Sequence, residues 1–292
     1  MFEKFKEGKV EIRKDEVWER NCRIMTRGGL EIDRQEDFSE LIARDCIFCS
    51  RDKLAKFDFG FMENSHSLLF PNINPYAKYS SVCAFKKHYI PLEEFSPDLL
   101  NSNFSLCNEY IARFYDGKAR YASINWNYLM PAGASILHPH TQVILSEHPT
   151  TYMEKIIKNK EKFFSYIEEE IKSERFIGKI NKFYLFVPFA PFGFNEVFGF
   201  CKEDLNQAIK DISGAISKII SYYANIKRNT FNFVAFIDME NEFPFHFRIL
   251  TRQNMVKYYR NDVMFFERIH FETVLEKMPE DVCIEIKNFI SR

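Results

Sequence analysis

The chain has 292 residues, 46% hydrophobic and 16% aromatic, enough to build one large core or two closely packed halves. Its formal net charge of −1 gives no global basic field, so we expect no nucleic-acid partner. The first twenty residues are charged throughout, and no apolar stretch approaches the roughly 18 residues of a membrane span. We therefore expect no secretory signal, no membrane association and a cytoplasmic location.

The predicted elements alternate between strands and helices along both halves of the chain. In the first half, strand-like stretches such as "KVEIRKDEVW" and "SLLFPNINPYAKYSSVCAFKKHYIPL" precede a helix that begins at Ser96-Pro97-Asp98. The segment "YASINWNYL" then returns to a strand. Mostly antiparallel strands flanked by helices favour an α+β fold.

The second half repeats this order. An amphipathic helix over 150–176 leads to the strands "KFYLFVPFA" and "EVFGFC", followed by a helix from about 205 to 226. The strands "TFNFVAFID" and "FPFHFRIL" come next, and a last helix begins near Pro279. Because "FPFHFRIL" occupies a place comparable to that of "ILHPHTQVIL" in the first half, the sequence suggests a weak internal duplication.

The seven cysteines do not form a disulfide framework, since their number is odd and five of them are scattered. Only Cys46 and Cys49, in "RDCIFCSRDK", are spaced as a pair. Two thiolates at this spacing can bind one metal ion, but the pattern alone leaves metal binding, a redox pair and chance open. No obvious helix follows, which weakens the redox interpretation. His88 and His138 are the candidates for further ligands.

The segment "AGASILHPHTQVILS", residues 132–146, reads as a strand that carries polar side chains on one face. Side chains alternate along a strand, so His138, His140 and Gln142 share a face at intervals of about 6.6 Å. Such a row can hold a metal ligand, a nucleophile and a phosphate-binding amide. The small residues of "AGAS" and their backbone N–H groups could approach an anion closely. Two solvent-exposed histidines on a half-exposed strand are the alternative interpretation.

Three segments taken together, "CIFC", "FKKH" and "NWNYLMPAGASILHPHTQ", resemble the galactose-1-phosphate uridylyltransferase family, the transferase branch of the histidine triad superfamily. The resemblance covers most of the chain, with looser matches near 10, 190 and 270. It implies two histidine-triad-like repeats that form a mostly antiparallel sheet flanked by helices. Residues 1–150 would carry a zinc site and the His-Pro-His-Thr-Gln motif, and residues 151–292 a degenerate second repeat.

The resemblance also assigns roles by position. It implies a zinc ion with four ligands: Cys46, Cys49, His88 and His138. His140 becomes the nucleophile that attacks the α-phosphorus of a nucleoside diphosphate sugar and forms a nucleotidyl-histidine. Gln142 would hydrogen-bond the bound phosphate, and Asn127 and Ser135 would be further phosphate contacts. Glu267 matches a family acid that contacts hexose, after a loop of different length.

These roles agree with elementary chemistry. A neutral imidazole is a good nucleophile near pH 7, provided that a backbone carbonyl holds the proton of its other ring nitrogen. The amide of Gln142 can bind phosphate oxygens, but it cannot protonate a leaving group or activate water as an imidazole can. The intermediate would therefore survive water, as a transferase requires.

Two departures from the family pattern bear on function. Thr141 stands where uridylyltransferases usually have Gly and where related phosphorylases have Ser. Glu196 and His246 would be structural remnants of a second metal site that we do not expect to persist.

We predict a nucleotidyltransferase with a hexose-1-phosphate as acceptor, working as a homodimer. One alternative is a phosphorylase of nucleoside diphosphate sugars or dinucleoside polyphosphates that uses inorganic phosphate. The other is a zinc-stabilised nucleotide-binding module without turnover. The base and the sugar are left open by the sequence.

Overall fold

A computed structural model describes residues 2–25, 37–203, 205–257, 261 and 263–291, without the side chains of 205–207. Within these residues the strands are β1 (Phe2–Glu7), β2 (Val10–Asp15), β3 (Arg20–Met25), β4 (Met62–Glu63), β5 (Ser67–Pro71), β6 (Tyr79–Phe85), β7 (Tyr121–Tyr128), β8 (His140–Ser146), β9 (Phe176–Ile180), β10 (Phe183–Phe186), β11 (Phe194–Phe200), β12 (Phe231–Asp238), β13 (His246–Thr251) and β14 (Thr273–Leu275). The α-helices are α1 (Ser39–Ile42), α2 (Pro97–Phe114), α3 (Thr151–Lys158), α4 (Lys160–Lys172), α5 (Leu205–Asn225) and α6 (Pro279–Ile290).

An antiparallel ten-stranded sheet runs through both halves, in the order β4-β5-β6-β8-β7-β12-β13-β11-β10-β9. The order is symmetric about its centre, where β7 pairs with β12. In each half, a helix connects the third and fourth of five strands: α2 lies between β6 and β7, and α5 between β11 and β12. The predicted α+β class and the internal duplication are therefore confirmed by the topology.

Helix α2 shows how the local sequence produces one of these elements. Ser96 caps its first turn by accepting a hydrogen bond from the Leu99 N–H at 3.2 Å, and Pro97 occupies the first helical position. Its apolar residues recur three and four positions apart and are buried against the sheet and α5. The helix thus covers one face of the first-half strands.

The opposite face of the sheet differs between the halves. In the second half, aromatic and aliphatic side chains of α3 and α4 pack on it, together with Trp18. In the first half, the same face carries a small apolar cluster formed by Leu54, Leu68, Phe70, Val82 and Ala84. His140 and Gln142 lie on this face, since they pair across the ladder with Ala84 and Val82.

The first residues of the chain pack on its last ones. β1, β2, β3 and β14 form a four-stranded sheet in which β14 runs parallel to β3. Arg13 is buried and makes a two-pronged ion pair with Glu280 at the start of α6, with both N–O distances 2.9 Å. The N-terminal strands therefore pack beside the second repeat, and the division at residue 150 stays a prediction.

The predicted helix over 150–176 is wrong in one respect, because the structure has two helices there. Asn159 separates α3 from α4, and its side-chain amide donates a hydrogen bond to the Val17 carbonyl at 3.0 Å. Asparagine is a weak helix former that favours such side-chain bonds to backbone. Throughout the described ranges, the helices are too short or too polar to cross a membrane.

Candidate metal centre and active site

Two cysteines and two histidines converge on one point. The Sγ atoms of Cys46 and Cys49 and the Nδ1 atoms of His88 and His138 lie within 4.8 Å of one another. Cys49 Sγ is 3.2 Å from His88 Nδ1 and 3.5 Å from His138 Nδ1, and Cys46 Sγ is 3.6 Å from His138 Nδ1. Tetrahedral coordination by sulfur and nitrogen separates such atoms by about 3.6 Å. The predicted ligands therefore form a cluster that fits a metal ion.

The outer nitrogens of both histidines are held by backbone carbonyls. His88 donates its Nε2–H to the Ile42 carbonyl at 2.8 Å, and His138 donates its Nε2–H to the Phe85 carbonyl. These bonds leave each Nδ1 with its lone pair directed at the cluster, as in metal sites generally. Burial lowers the pKa of His138 to about 4, so its ring is neutral near pH 7.

His140 is oriented by the backbone of its own strand. It is buried, and its Nδ1–H donates to the His138 carbonyl at 2.8 Å. Nε2 consequently carries the lone pair, and burial lowers the pKa of the ring, which keeps the neutral form. The ring packs edge-on against Phe48, with centroids 5.1 Å apart. Phe48 lies in the turn between the two cysteines, and no local pattern in the sequence indicates its contact with His140.

Gln142 follows His140 on the same face of β8 and is partly exposed. Its backbone carbonyl accepts a hydrogen bond from the Asn125 side chain at 3.2 Å. Within the residues that the structure describes, its side-chain amide makes no hydrogen bond. The amide is therefore available to a ligand beside His140.

Thr141 points to the other face of β8 and anchors the strand to α2. Its hydroxyl donates to Asn103 Oδ1 at 2.7 Å, and both side chains are buried. Asn103 Nδ2 in turn donates to the Cys83 carbonyl at 3.1 Å and to Ser67 Oγ at 3.2 Å. A glycine at 141 has no hydroxyl for this network, whereas a serine has one.

The loop before the histidines is folded on itself. The N–H groups of Ala132 and Ala134 donate to the Leu129 carbonyl at 3.1 and 3.3 Å, and that of Gly133 donates to the Met130 carbonyl at 2.8 Å. The expectation that these N–H groups approach an anion is therefore wrong for three of the four "AGAS" residues, because the tight turn uses them. Ser135, the fourth, is exposed.

Asn127 lies beside this loop. It is exposed, two residues along β7 from Asn125, which pairs with Gln142. Gly133 has a φ of +95°, and a Cβ placed on it would lie 3.6 Å from Asn127 Nδ2. Side chains two residues apart share a face of a strand, so Asn127 lies on the same face of β7 as Asn125, the cross-strand partner of Gln142.

Glu267 lies away from these strands, in the segment Phe266–His270 beside β14. Its carboxylate accepts hydrogen bonds from the Met264 N–H at 3.1 Å and the Val274 N–H at 3.3 Å. These bonds tie the segment together. The assignment of Glu267 to a hexose contact stays a prediction.

His246 is the counterpart of His140 in the second repeat, since each begins the corresponding strand. Its Nδ1–H donates to the Pro244 carbonyl at 2.7 Å, and Tyr152 Oη lies 3.2 Å from Nε2. The ring is fully buried between Phe198 and Phe236, with centroid distances of 5.3 and 5.0 Å.

Arg248 occupies the position of Gln142 in the second repeat. Its guanidinium is ion-paired with the buried carboxylate of Glu196 and donates from Nε to Tyr152 Oη at 2.9 Å. It also lies over the rings of Trp18 and Phe192, at 4.3 and 3.9 Å from their centroids. Glu196 and His246 are both bound into this packed cluster. In the sequence, the position of Arg248 within the apolar run "FHFRIL" indicates such a buried, paired charge.

Known proteins resemble this chain in sequence or in fold. No protein-family model matches the chain. An uncharacterized protein from Archaeoglobus fulgidus is 33% identical over an alignment of 316 positions, which covers 99% of this chain and 94% of that protein. The crystal structure of an ADP-glucose phosphorylase from Arabidopsis thaliana with bound ADP-glucose is similar, with a TM-score of 0.73 and 18% identity, covering 95% of this chain and 98% of that one.

A solved uridylyltransferase structure has a TM-score of 0.66 and 16% identity, covering 96% of this chain and 98% of that one. The fold predicted from the motif is confirmed by these similarities. The chain belongs to one family with the archaeal protein, and its fold is that of the solved ADP-glucose phosphorylase and uridylyltransferase.

Proposed function

We propose that the protein is a nucleotidyltransferase that acts on a nucleoside diphosphate sugar through a nucleotidyl-His140 intermediate. The orientation of His140 is the main support. Its Nδ1–H is held by the His138 carbonyl at 2.8 Å, so Nε2 is the nucleophilic atom. Gln142 presents an amide on the same face of the strand.

In the first step, the Nε2 lone pair of His140 forms a bond to the α-phosphorus, and the bond from phosphorus to the bridging oxygen breaks. The sugar phosphate leaves with that electron pair. The positive charge that develops on the imidazole is stabilised by the His138 carbonyl, which accepts the Nδ1–H bond. Gln142 donates to a non-bridging oxygen. In the second step, an acceptor phosphate oxygen attacks phosphorus and Nε2 leaves.

We take a hexose-1-phosphate as the acceptor, which places the reaction in carbohydrate metabolism. A phosphorylase that uses inorganic phosphate, or one acting on dinucleoside polyphosphates, is the second candidate. The hydrogen bond from the Thr141 hydroxyl to Asn103 favours a phosphorylase, because serine, which related phosphorylases carry here, could make it and glycine could not. The solved structure of an ADP-glucose phosphorylase has the same fold.

We propose zinc as the ion of the Cys46–Cys49–His88–His138 cluster, because two thiolates and two imidazoles are a donor set that zinc prefers. A closed shell of four protein ligands supplies folding energy and keeps the ion itself out of the reaction. The cluster ties the cysteine turn to the residues before β8. It thereby fixes the His138 carbonyl that orients His140.

We further propose a cytoplasmic homodimer. The segment around Glu267 exposes four large apolar side chains, which a second copy could cover: Met264 (45%), Phe265 (57%), Ile269 (68%) and Phe271 (70%). In such a dimer Glu267 could approach the site of the partner. Light scattering of the wild type and of Phe265→Ser/Phe271→Ser tests this, and a monomeric wild type would contradict it. The free cysteines within the described residues agree with a reducing compartment.

The decisive experiment is to incubate the protein with a panel of nucleoside diphosphate sugars, quench under mildly alkaline conditions and measure the intact mass. The added mass names the nucleotide. His140→Ala should give no adduct, whereas His148→Ala, which changes an exposed histidine, should label as the wild type does. The labelled protein is then mixed with hexose-1-phosphate or inorganic phosphate, and the acceptor that discharges it separates transferase from phosphorylase.

If members of the panel bind but none of them forms an adduct or is exchanged, the binding-module alternative remains. That result would contradict the proposed function.

A further inference from the structure

The second repeat contributes side chains to the edge of the first repeat's site. Asn232 in β12 lies directly opposite Asn127 in β7. Its Nδ2 donates to Asn127 Oδ1 and to the Ala132 carbonyl, both at 2.7 Å. Its Oδ1 accepts from Arg252 Nη1, also at 2.7 Å. Arg252 follows the last residue of β13.

This chain of hydrogen bonds has a fixed direction. A guanidinium can only donate, so the side of Asn232 that faces Arg252 must be its oxygen. The NH₂ group of Asn232 then faces Asn127, and the side of Asn127 that receives it must also be oxygen. The NH₂ group of Asn127 is consequently turned toward the loop, where a Cβ at Gly133 would be 3.6 Å away.

We infer that Asn232, itself oriented by Arg252 and the Ala132 carbonyl, is a positioning residue that holds Asn127 as a hydrogen-bond donor to a phosphate oxygen. This inference rests on the proposed function, in which Asn127 contacts phosphate. A phosphate oxygen only accepts hydrogen bonds, so the NH₂ side of Asn127 attracts it and the carbonyl side repels it. The second repeat thus sets the polarity of a group in the first.

Asn232→Asp tests the direction with almost no change of shape. Aspartate still accepts from Arg252 but cannot donate to Asn127, which must then turn its NH₂ group toward residue 232 and its oxygen toward the phosphate. We expect the rate of His140 labelling at saturating nucleotide sugar to fall roughly 10- to 100-fold, the loss of a charge-assisted hydrogen bond. Metal content should stay that of the wild type, and the unfolding midpoint should fall only slightly, because the Ala132 carbonyl also loses its donor.

A double-mutant cycle separates orientation from the added negative charge. In an Asn127→Ala background, Asn232→Asp should have no further effect on labelling if it acts through Asn127. A full effect in that background would mean that the added charge or the lost bond to the Ala132 carbonyl is responsible, and it would overturn the inference. Labelling of the single variant at the wild-type rate would do the same.

Binding measurements keep this test independent of the proposed chemistry. In a His140→Ala chain, which cannot be labelled, ADP-glucose and UDP-glucose are titrated with and without Asn232→Asp. We expect weaker binding of about 10-fold or more with the second change, for whichever sugar nucleotide binds. That loss, if it disappears when Asn127→Ala is also present, supports the inference even if the wild type forms no adduct, a result that would contradict only the proposed function. Equal affinities would overturn the inference.

Discussion

His140 and His246 begin corresponding strands of the two repeats, and each donates Nδ1–H to the carbonyl two residues before it, at 2.8 and 2.7 Å. Their surroundings differ. Across the ladder, His140 pairs with Ala84, whereas His246 pairs with Phe200. The histidine-to-carbonyl bond is therefore a property of the strand geometry in both repeats. What distinguishes them is the size of the neighbours on the same face.

The next position along each strand extends this contrast. Gln142 lies across the ladder from Val82, and its amide makes no hydrogen bond to any described residue, whereas Arg248 lies across from Phe198 and is enclosed by Glu196 and aromatic rings. In the second repeat α3 and α4 cover the face, and in the first repeat it carries the metal cluster and His140. Under the proposed function, one repeat therefore keeps the reactive site and the other stabilises the sheet that carries it.

The largest expected effect comes from removing each histidine in turn. His140→Ala should abolish the covalent adduct and lower transfer by at least about 10³-fold, while the chain stays folded and keeps its metal, because the nucleophile itself is lost. His246→Ala should keep the adduct but lower the free energy of unfolding by about 2–4 kcal/mol, because it leaves a cavity among buried rings. Intact mass and urea unfolding measure the two outcomes. A folded His246→Ala protein that cannot be labelled would break the comparison.

The metal cluster belongs to the first repeat and gives the next prediction. The purified protein should contain about one zinc per chain, and Cys46→Ser/Cys49→Ser should contain none and melt at a lower temperature, since binding is coupled to folding. Cys201→Ser, a change at a buried cysteine outside the cluster, should keep its zinc. Elemental analysis by mass spectrometry decides, and full occupancy in the double variant would sink the assignment.

In the second repeat, Arg248→Met should lower the free energy of unfolding by about 3–5 kcal/mol, because it leaves the Glu196 carboxylate buried without its partner. Labelling of the protein that remains folded should be unchanged. Arg51→Met is the matched control, since Arg51 pairs with Glu63 at the surface and its loss should have little effect. If Arg248→Met costs no more than Arg51→Met, the closed cluster does not stabilise the second repeat.

Gln142→Ala is the change in the first repeat that corresponds to Arg248→Met in the second. It should slow transfer by about 1.5–3 kcal/mol for one charge-assisted hydrogen bond to phosphate, with no change in zinc content or unfolding. Single-turnover labelling measures the rate. Gln142→His should divert part of the intermediate to water. A wild-type rate in Gln142→Ala would show that residue 142 does not contact the reacting phosphate.

The sequence predicted the elements whose signals are local. Ser96-Pro97-Asp98 marked the start of α2 because a cap and a first-turn proline act within one turn. The break between α3 and α4 was missed because it depends on a bond from Asn159 to the distant Val17 carbonyl. The histidines and Gln142 could be found from the motif, whereas Phe48, Asn232 and Arg252 could not, because their contacts with the site depend on residues distant in sequence.

The smallest effect on the free energy of unfolding is expected for Tyr152→Phe in the second repeat. The Tyr152 hydroxyl accepts from Arg248 Nε at 2.9 Å and, because His246 Nδ1 carries the ring proton, donates to His246 Nε2 at 3.2 Å. Removing the hydroxyl leaves the aromatic packing in place, so the free energy of unfolding should fall by only about 1–2 kcal/mol, with no effect on labelling.

Combining Tyr152→Phe with His246→Phe sharpens this prediction. With both ends of their hydrogen bond replaced by apolar rings, the two changes together should cost less than the sum of the single changes, because neither leaves the other partner unpaired. Urea unfolding of the three variants measures the coupling. Strictly additive costs would mean that the Tyr152 hydroxyl interacts with Arg248 alone. His246 would then be held in the second repeat by ring packing and by its hydrogen bond to the Pro244 carbonyl.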